Sequence, residues 1–427
     1  MSEPAVQWDV AVIGAGAAGL MAAARAASAG AKTILLEKNR KAGVKILMSG
    51  GTRCNLTHDC EPCRIIEAFG PQGKFLHSAL AALGPRDVVK LFNELGVATK
   101  VEVTGKVFPE SDRALDVRDA LWRFAERHGV CVQLGTAARG IHHGEPNGFR
   151  IPVADGEAVR TRCVIVTTGG RSYPGCGTTG EGYGWLTELG HTIVPTAPAL
   201  VPLVGGTQWS HELTGLTQPD VMVAFVARPG GAKPLAKRRS SLLWTHFGFS
   251  GPAAMDVSRA LVEVNSPSKP FLQIDSLPDL PLAQLDPWWD SQRKQGGARH
   301  VTTVLHQLVP QRLAAMLVSQ AGIEPEQRLS ELSHAARRTL NGLLKGLELP
   351  IAGTRGFEKA EVTRGGVELK EVDSRTMESR RVPGLFIAGE ILDLDGWIGG
   401  YNFQSAFSTG HVAGLAAARK SLGSVAS

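Results

Sequence analysis

The sequence predicts an α/β protein in which a nucleotide-binding domain is written in two separated pieces around an inserted β-rich and helical part. Three observations carry this. Residues 8–38 read as strand, glycine turn, helix and strand; CVIVTTGG at 163–170 is a second apolar strand ending in glycines; and residues 385–421 return to strand, glycine-rich loop and helix after a long stretch of different composition.

The first piece opens on WDVAVIGAGAAG. Val10, Val12 and Ile13 form an apolar run that stops at Gly14, and GAGAAG over 14–19 opens an alanine-rich helix. Gly14 permits the tight turn, Gly16 lets backbone approach a pyrophosphate, and Gly19 lets helix pack on strand, while the helix N-terminus at Ala17 and Ala18 offers free N–H donors to the anion. Glu37 ends the second strand about 20 residues on, where a carboxylate accepts both hydroxyls of an adenosine ribose. An acid there favours FAD or NAD over NADP.

After Glu37 and Lys38 comes a stretch expected to be loop-rich, KAGVKILMSGGTRCN. Its glycines Gly50 and Gly51 admit a flat ligand, and Lys45, Ser49, Arg53, Cys54 and Asn55 surround them with donors and backbone. Residues 74–99 carry helical spacing, 101–109 alternate like a hairpin, and 113–128 form an amphipathic helix. The strand at 164–166 then ends at Thr168, Gly169 and Gly170, beside which a dinucleotide would lie.

Composition shifts at Pro195, Pro198 and Pro202. Residues 200–247 are strand-like, a helix follows Gly251-Pro252, PFLQID is a strand, and 281–347 are rich in Leu, Ala, Arg and Gln at helical spacing. The expected division is therefore 1–195 with 351–427 for the nucleotide-binding domain, 196–280 for a β domain completed near 350, and 281–350 for a helical insert. In the last piece a strand ends at Gly389-Glu390, with Asp393 just beyond. Carboxylates there can take the ribityl hydroxyls of a flavin. The helix N-terminus at Gly400, Tyr401 and Asn402 would then stabilise negative charge on the pyrimidine edge.

Bulk properties bound the rest. A chain of 427 residues exceeds the size of one growing core. Its net charge of +6 favours anionic ligands yet is too diffuse to announce nucleic acid. Six cysteines make no disulfide framework, and Cys54, His58, Cys60 and Cys63 match no standard paired zinc spacing, so no metal is expected. The first strand begins without a basic leader and no apolar run is long enough to span a bilayer; the expected setting is the cytoplasm, with no membrane partner. Oligomeric state is not encoded legibly.

With these segments in hand, the chain resembles the BaiN/YhiN-like flavoproteins, also labelled aminoacetone oxidase family FAD-binding enzymes. The matching runs are IGAGAAG, GTRCN, GKVFPESDRALDV, TTGGRSYPGCGTTGEGY, ALVPL, THFGFSGPA and the block from EVTRGG to STGHVAG. The resemblance implies a FAD-binding Rossmann-type domain split by a β-barrel-like domain with a helical insert, noncovalent FAD, and NAD(P)H as a candidate electron donor. It assigns Gly14, Gly16 and Glu37 to the ADP half and Ser49 through Asn55 to the pyrophosphate and flavin. Gly169 and Gly170 fall to the adenosine side, and Glu390, Asp393 and Gly400 to Asn402 to the ribityl and ring portions. Thr52 and Thr167-Thr168 depart from the usual pattern near the ring.

The expected activity is a FAD-dependent oxidoreductase passing hydride between a small organic substrate and flavin N5. Tyr173, His246 and Tyr401, each in a glycine-rich turn, are the candidate proton donors. An RNA-associated flavoprotein is the alternative, on the basic residues Lys233, Lys237, Arg238, Arg239, Arg337 and Arg338, although no aromatic interleaving accompanies them and nucleic acid is not the expected partner. A flavin-bearing sensor without turnover is a third.

Overall fold

The structure, a computed structural model, describes residues 8–145, 148–230, 233–263 and 270–423. The chain forms two compact units: the residues up to Ala197 together with those from Val362 onward, and Pro198–Glu361.

The first unit is built on a seven-stranded sheet among the described residues. Its parallel part runs Cys131–Leu134, Thr33–Glu37, Trp8–Ile13 and Val159–Val166. The central segments Val10–Ile13, Ile34–Leu36 and Cys163–Val166 are continuous buried apolar runs, as a parallel sheet covered on both faces requires. Val159–Val166 is long enough to carry two partners. Its first half pairs antiparallel with Gly148–Ile151 and its second half pairs parallel with Leu385–Ile387, so the C-terminal piece of the chain joins the same sheet. Two helices then meet closely. In the closing helix Tyr401–Ser421, a Cβ at Gly410 or Gly414 would come 2.4 or 2.3 Å from the carbonyl oxygens of Ala18 and Ala22 in helix Ala17–Ser28, so only glycine lets the two backbones pack at this distance.

Register fixes the functional edge. Ile13 pairs with both Leu36 and Val166, and Val166 pairs with Ile387. Gly14, Glu37, Thr167 and Gly389 therefore leave the sheet together at its carboxyl edge, where open α/β sheets bind ligands.

The second unit is a closed six-stranded barrel of Leu203–Gly205, Gly248–Ser250, Ala236–Thr245, Thr217–Val226, Phe271–Asp275 and Leu347–Thr354. It has its own core, centred on Phe225, Trp244 and Phe249. Helices Leu282–Gly296, Val301–Leu305, Gln311–Gln320 and His334–Gly346 form the helical part, held by Trp289, whose indole N–H donates to Asn341 Oδ1 at 2.8 Å. The helical stretch stops at 346, short of 350, and the barrel runs past 351, because Leu347–Thr354 alternates buried and part-buried side chains and pairs on both sides as the last barrel strand. No helix among the described residues is long and apolar enough to cross a membrane.

Candidate functional site

The glycine turn shows three distinct constraints. Gly14 has φ +101°, and a Cβ there would lie 2.6 Å from the Thr167 carbonyl oxygen; at Gly19 it would lie 1.8 Å from the Gly14 carbonyl. Both must be glycine for the fold itself. Gly16 is different: a Cβ there meets nothing within 4 Å, so no protein atom demands glycine. Gly16 caps helix Ala17–Ser28 without a side-chain hydrogen bond, and the first turn holds no acid. The space and the N–H groups of Ala17 and Ala18 suit a pyrophosphate.

Glu37 stands beside this turn with its carboxylate turned back on it. Oε2 accepts from Ala15 N at 2.7 Å and Oε1 from Asn39 N at 2.8 Å. A carboxylate has about four lone-pair directions, so acceptor capacity remains for ribose hydroxyls. Lys38 turns to Thr179 and Glu181 at 3.0 and 2.9 Å.

Along the edge, Thr168 Oγ1 is buried without a hydrogen-bond partner. Gly170 fits against Thr363 and Glu390. Glu390 is the hub of a network that sequence reasoning did not reach: Oε2 accepts from Lys45 Nζ at 2.6 Å, and Oε1 accepts from Ser172 and from Thr363 N at 2.9 Å. Lys45 Nζ also donates to Ser172 Oγ at 2.6 Å. Ser172 follows the paired glycines closely, which is a readable signal; Thr363 carries none. Gly389, at φ +81°, abuts Ala18 and donates to Thr409 Oγ1 at 3.1 Å. The N–H of Asp393 donates to the Val367 carbonyl at 3.1 Å, placing that carboxylate beyond the same strand end.

The stretch expected to be loop-rich is a short helix that breaks. Residues 44–48 are helical, Ser49 is extended, and Gly50 and Gly51 are left-handed. Thr52 and Cys54 share that strained region at φ +70° and +61°. Burial pushes the Cys54 thiol up to about 12, so it stays protonated. Arg53 and Asn55 both have partners within the protein. The Arg53 guanidinium pairs with Glu102 at 2.7 Å and Asp112 at 3.4 Å and stacks over the Phe108 ring at 4.0 Å, because the hairpin Thr99–Val101 and Lys106–Pro109 brings those partners to it. With its amide nitrogen facing the Thr57 and Val107 carbonyls, Asn55 accepts from Gly400 N at 3.0 Å. Its side chain thus holds the start of the closing helix.

At that start, Tyr401 is buried and stacked on His58 at 4.9 Å, and His58 Nδ1 lies 3.0 Å from the Gly399 carbonyl oxygen. The Asn402 amide donates to the carbonyls of Gly396 and Trp397 and accepts from Gly396 N. Tyr173 is half-buried in a left-handed turn at φ +55°. His246 is exposed in the barrel unit, edge-on to Phe247 at 5.0 Å. The structure brings Gly16, Thr168, Gly170, Glu390 and Lys45 to one sheet edge. Three of the six basic residues singled out in the barrel unit pair with carboxylates: Arg238 with Asp256, Arg239 with Asp220 and Asp279, and Arg337 with Asp286 and Asp290.

The family model described as HI0933-like protein Rossmann domain matches residues 8–416. The chain belongs to this HI0933-like family. Two relatives span it almost end to end. One is named ribosomal RNA dihydrouridine synthase, from Escherichia coli (strain K12), 34% identical over 404 residues and covering 94% of this chain and 96% of that one. The other is named 3-dehydro-bile acid delta(4,6)-reductase, from Clostridium scindens, 31% identical over 414 residues and covering 96% and 99%. Among solved structures, 3-ketosteroid-delta4-(5alpha)-dehydrogenase from Rhodococcus jostii RHA1 superposes with TM-score 0.55 at 16% identity, covering 98% of both chains, which speaks to fold alone. As a member of the HI0933-like family, the protein is a FAD-dependent oxidoreductase. The open Gly16 cradle and the orphaned Thr168 hydroxyl fit that cofactor.

Proposed function

We propose that the protein uses FAD to reduce a carbon–carbon double bond conjugated to a carbonyl, with NADH or NADPH as the electron source. The supporting observation is that two relatives matched over nearly their whole length are named for substrates that share only this unit. Dihydrouridine differs from uridine by saturation of a ring double bond conjugated to a carbonyl. A 3-dehydro bile acid with delta(4,6) unsaturation has the same electronic arrangement. Bound FAD would supply two-electron hydride chemistry at N5.

The chain's own residues supply the rest. Backbone amides at the glycine turn and the strand-end hydroxyls and carboxylates bind and orient the cofactor. Hydride arriving at the carbon β to the carbonyl requires one proton at the α carbon, and Tyr173, His246 and Tyr401 are the groups proposed to hold it. A small organic substrate is the leading reading.

A ribosomal RNA uracil is a second reading, favoured by the Escherichia coli relative. The carboxylates that occupy Arg238, Arg239 and Arg337 weigh against those residues as its docking face. The test is anaerobic. Purified protein should be yellow and release FAD; recovery of only FMN overturns the cofactor assignment. Flavin reduced by NADH or NADPH should be reoxidised by a conjugated enone or by a uridine-containing ribosomal RNA fragment. Reoxidation by neither, with reoxidation by a saturated carbonyl or an imine, would sink the reaction class. Uptake of RNA that falls steeply with salt would favour the second reading.

A further inference from the structure

The hairpin between Ala236–Thr245 and Gly248–Ser250 turns on unusual residues. Thr245 pairs with Gly248, so His246 and Phe247 alone make the connection. Two-residue hairpin turns favour backbone with positive φ, and hence Asn-Gly or a leading Gly. Here both residues are bulky, and neither has a positive φ. The turn is pinned from outside instead: Gly205 N donates to the Phe247 carbonyl at 3.0 Å, and a Cβ at Gly248 would lie 2.4 Å from the Leu203 carbonyl oxygen. Breaches of a local rule that the rest of the fold compensates concentrate where a protein meets its ligands.

What this turn presents is a seat for a cation. The Arg355 guanidinium lies over the Phe247 ring, 4.6 Å from its centroid, and His246 stands edge-on to the same ring at 5.0 Å. Arg355 N donates to the Pro202 carbonyl at 3.1 Å, which fixes the root of the side chain just past strand Leu347–Thr354. The head is free. Arg355 is exposed, and among the described residues no carboxylate pairs with it and no acceptor takes its guanidinium N–H groups, although Glu358 is three residues away. Arg238, Arg239 and Arg337 in the same unit each hold at least one carboxylate. A guanidinium held over an aromatic face keeps its donors and has already given up rotamer freedom that binding would cost. Its planar fork matches the paired oxygens of a carboxylate or a phosphate.

We infer that Arg355, seated on Phe247, is an anion-binding residue of the barrel unit that holds a carboxylate or phosphate group of the substrate. The inference rests on the double-bond reading above and adds a charge to it: the molecule reduced carries an oxyanion apart from its reacting carbons.

The experiment titrates holoenzyme calorimetrically at low salt with two pairs of compounds that differ in the anion: a 3-oxo-4-ene steroid carboxylic acid against its methyl ester, and uridine 5′-monophosphate against uridine. Wild type should bind the charged member of one pair about tenfold more tightly than its neutral partner, or better. Arg355→Met, whose stem still covers Phe247, should lose that preference to within about twofold while binding the neutral member as wild type does. Arg355→Lys keeps the charge without the fork and should fall between the two. Preference in the steroid pair marks a small-molecule carboxylate as the ligand; preference in the uridine pair marks a phosphate. Equal affinity of wild type for both members of each pair, no binding of any of the compounds, or a preference that survives in Arg355→Met overturns the inference, since the side chain then only covers the ring. Anaerobic mixing with the reduced enzyme keeps the two claims apart. An Arg355-dependent preference without reoxidation of the flavin by either charged compound strikes the double-bond reading and leaves the anion site standing.

Discussion

Replacing Glu37 by glutamine separates its fastening of the glycine turn from the ribose binding proposed for the same carboxylate. In the structure it accepts from Ala15 N at 2.7 Å and Asn39 N at 2.8 Å, fastening the end of strand Thr33–Glu37 to the glycine turn. Hydrogen bonds to a charged acceptor contribute about 1.5–3 kcal/mol each, and a surviving neutral one about 1 kcal/mol. Glutamine can offer its single oxygen to one N–H and must face the other with an NH2 group, so the apoprotein should lose about 2–5 kcal/mol. Ala15 is fully buried, which leaves its N–H no water to fall back on.

For a domain of this size that loss lowers the melting temperature by about 4 °C or more. The ribose hydroxyls lose the same charged acceptor, and FAD affinity should fall about tenfold beyond any effect on the fold. Glu37→Arg, with a cation at the adenosine, should retain still less flavin. Thermal melts of stripped protein and FAD titrations read the two effects apart. An apoprotein melting temperature within 1 °C of wild type would refute the fastening role, and a lowered melting temperature with unchanged FAD affinity would show that the acid serves the turn and not the ribose.

Gly16→Ala should keep the apoprotein melting temperature within about 2 °C, because its Cβ meets no protein atom, yet weaken FAD binding severely; Gly19→Ala, 1.8 Å from the Gly14 carbonyl, should cost about 3 kcal/mol or prevent folding. Equal effects of the two on the apoprotein, read by circular dichroism, would contradict this division of labour. Burial and the neighbouring Arg25 depress His411 to about 4, with Asp87 opposing. Its unfolded value lies near 6.5, so the unfolded chain takes the proton first; stability should be fully present above pH 6.5 and decline as pH falls from 6.5 towards 4. His411→Leu should flatten that decline in pH-dependent urea titrations, and an unchanged profile would show that His411 does not drive it.

What the sequence made legible was local. Gly14, Gly16, Gly19 and Glu37 sit within one strand–helix–strand unit, where spacing alone reports the turn, the approach and the acid. The strand ends at Thr168 and Gly389 were legible because an apolar run that stops at glycine can be read without knowing its neighbours. The network around Glu390 was not, since Lys45, Ser172 and Thr363 arrive from segments 345, 218 and 27 residues away. Arg53 and Asn55 show the converse limit. A sequence displays donors but not the partners that a hairpin and a helix start will place beside them, so the pairing of Arg53 with Glu102 and of Asn55 with Gly400 N could not be read in advance.

The split of the cofactor unit follows from how cheaply a folded insert can interrupt a sheet. Leu385–Ile387 must reach Val164–Val166, and the closing helix must reach Ala18 and Ala22, across a long intervening chain. For a flexible loop each doubling of length adds only about 0.6 kcal/mol of closure cost. Here even that estimate is too large, because the insert closes on itself: Glu361 N donates to the Leu200 carbonyl at 3.1 Å, and Arg355 N to the Pro202 carbonyl at 3.1 Å. Once the barrel has folded around its own core of Phe225, Trp244 and Phe249, its entry and exit are neighbours. To the host sheet, Pro198–Glu361 is then equivalent to a short connection. The second half of Val159–Val166 can therefore wait for a strand encoded far downstream, and the cofactor edge from Thr167 to Gly170 is completed by Gly389 and Glu390 without the whole intervening chain having to be ordered for that purpose alone.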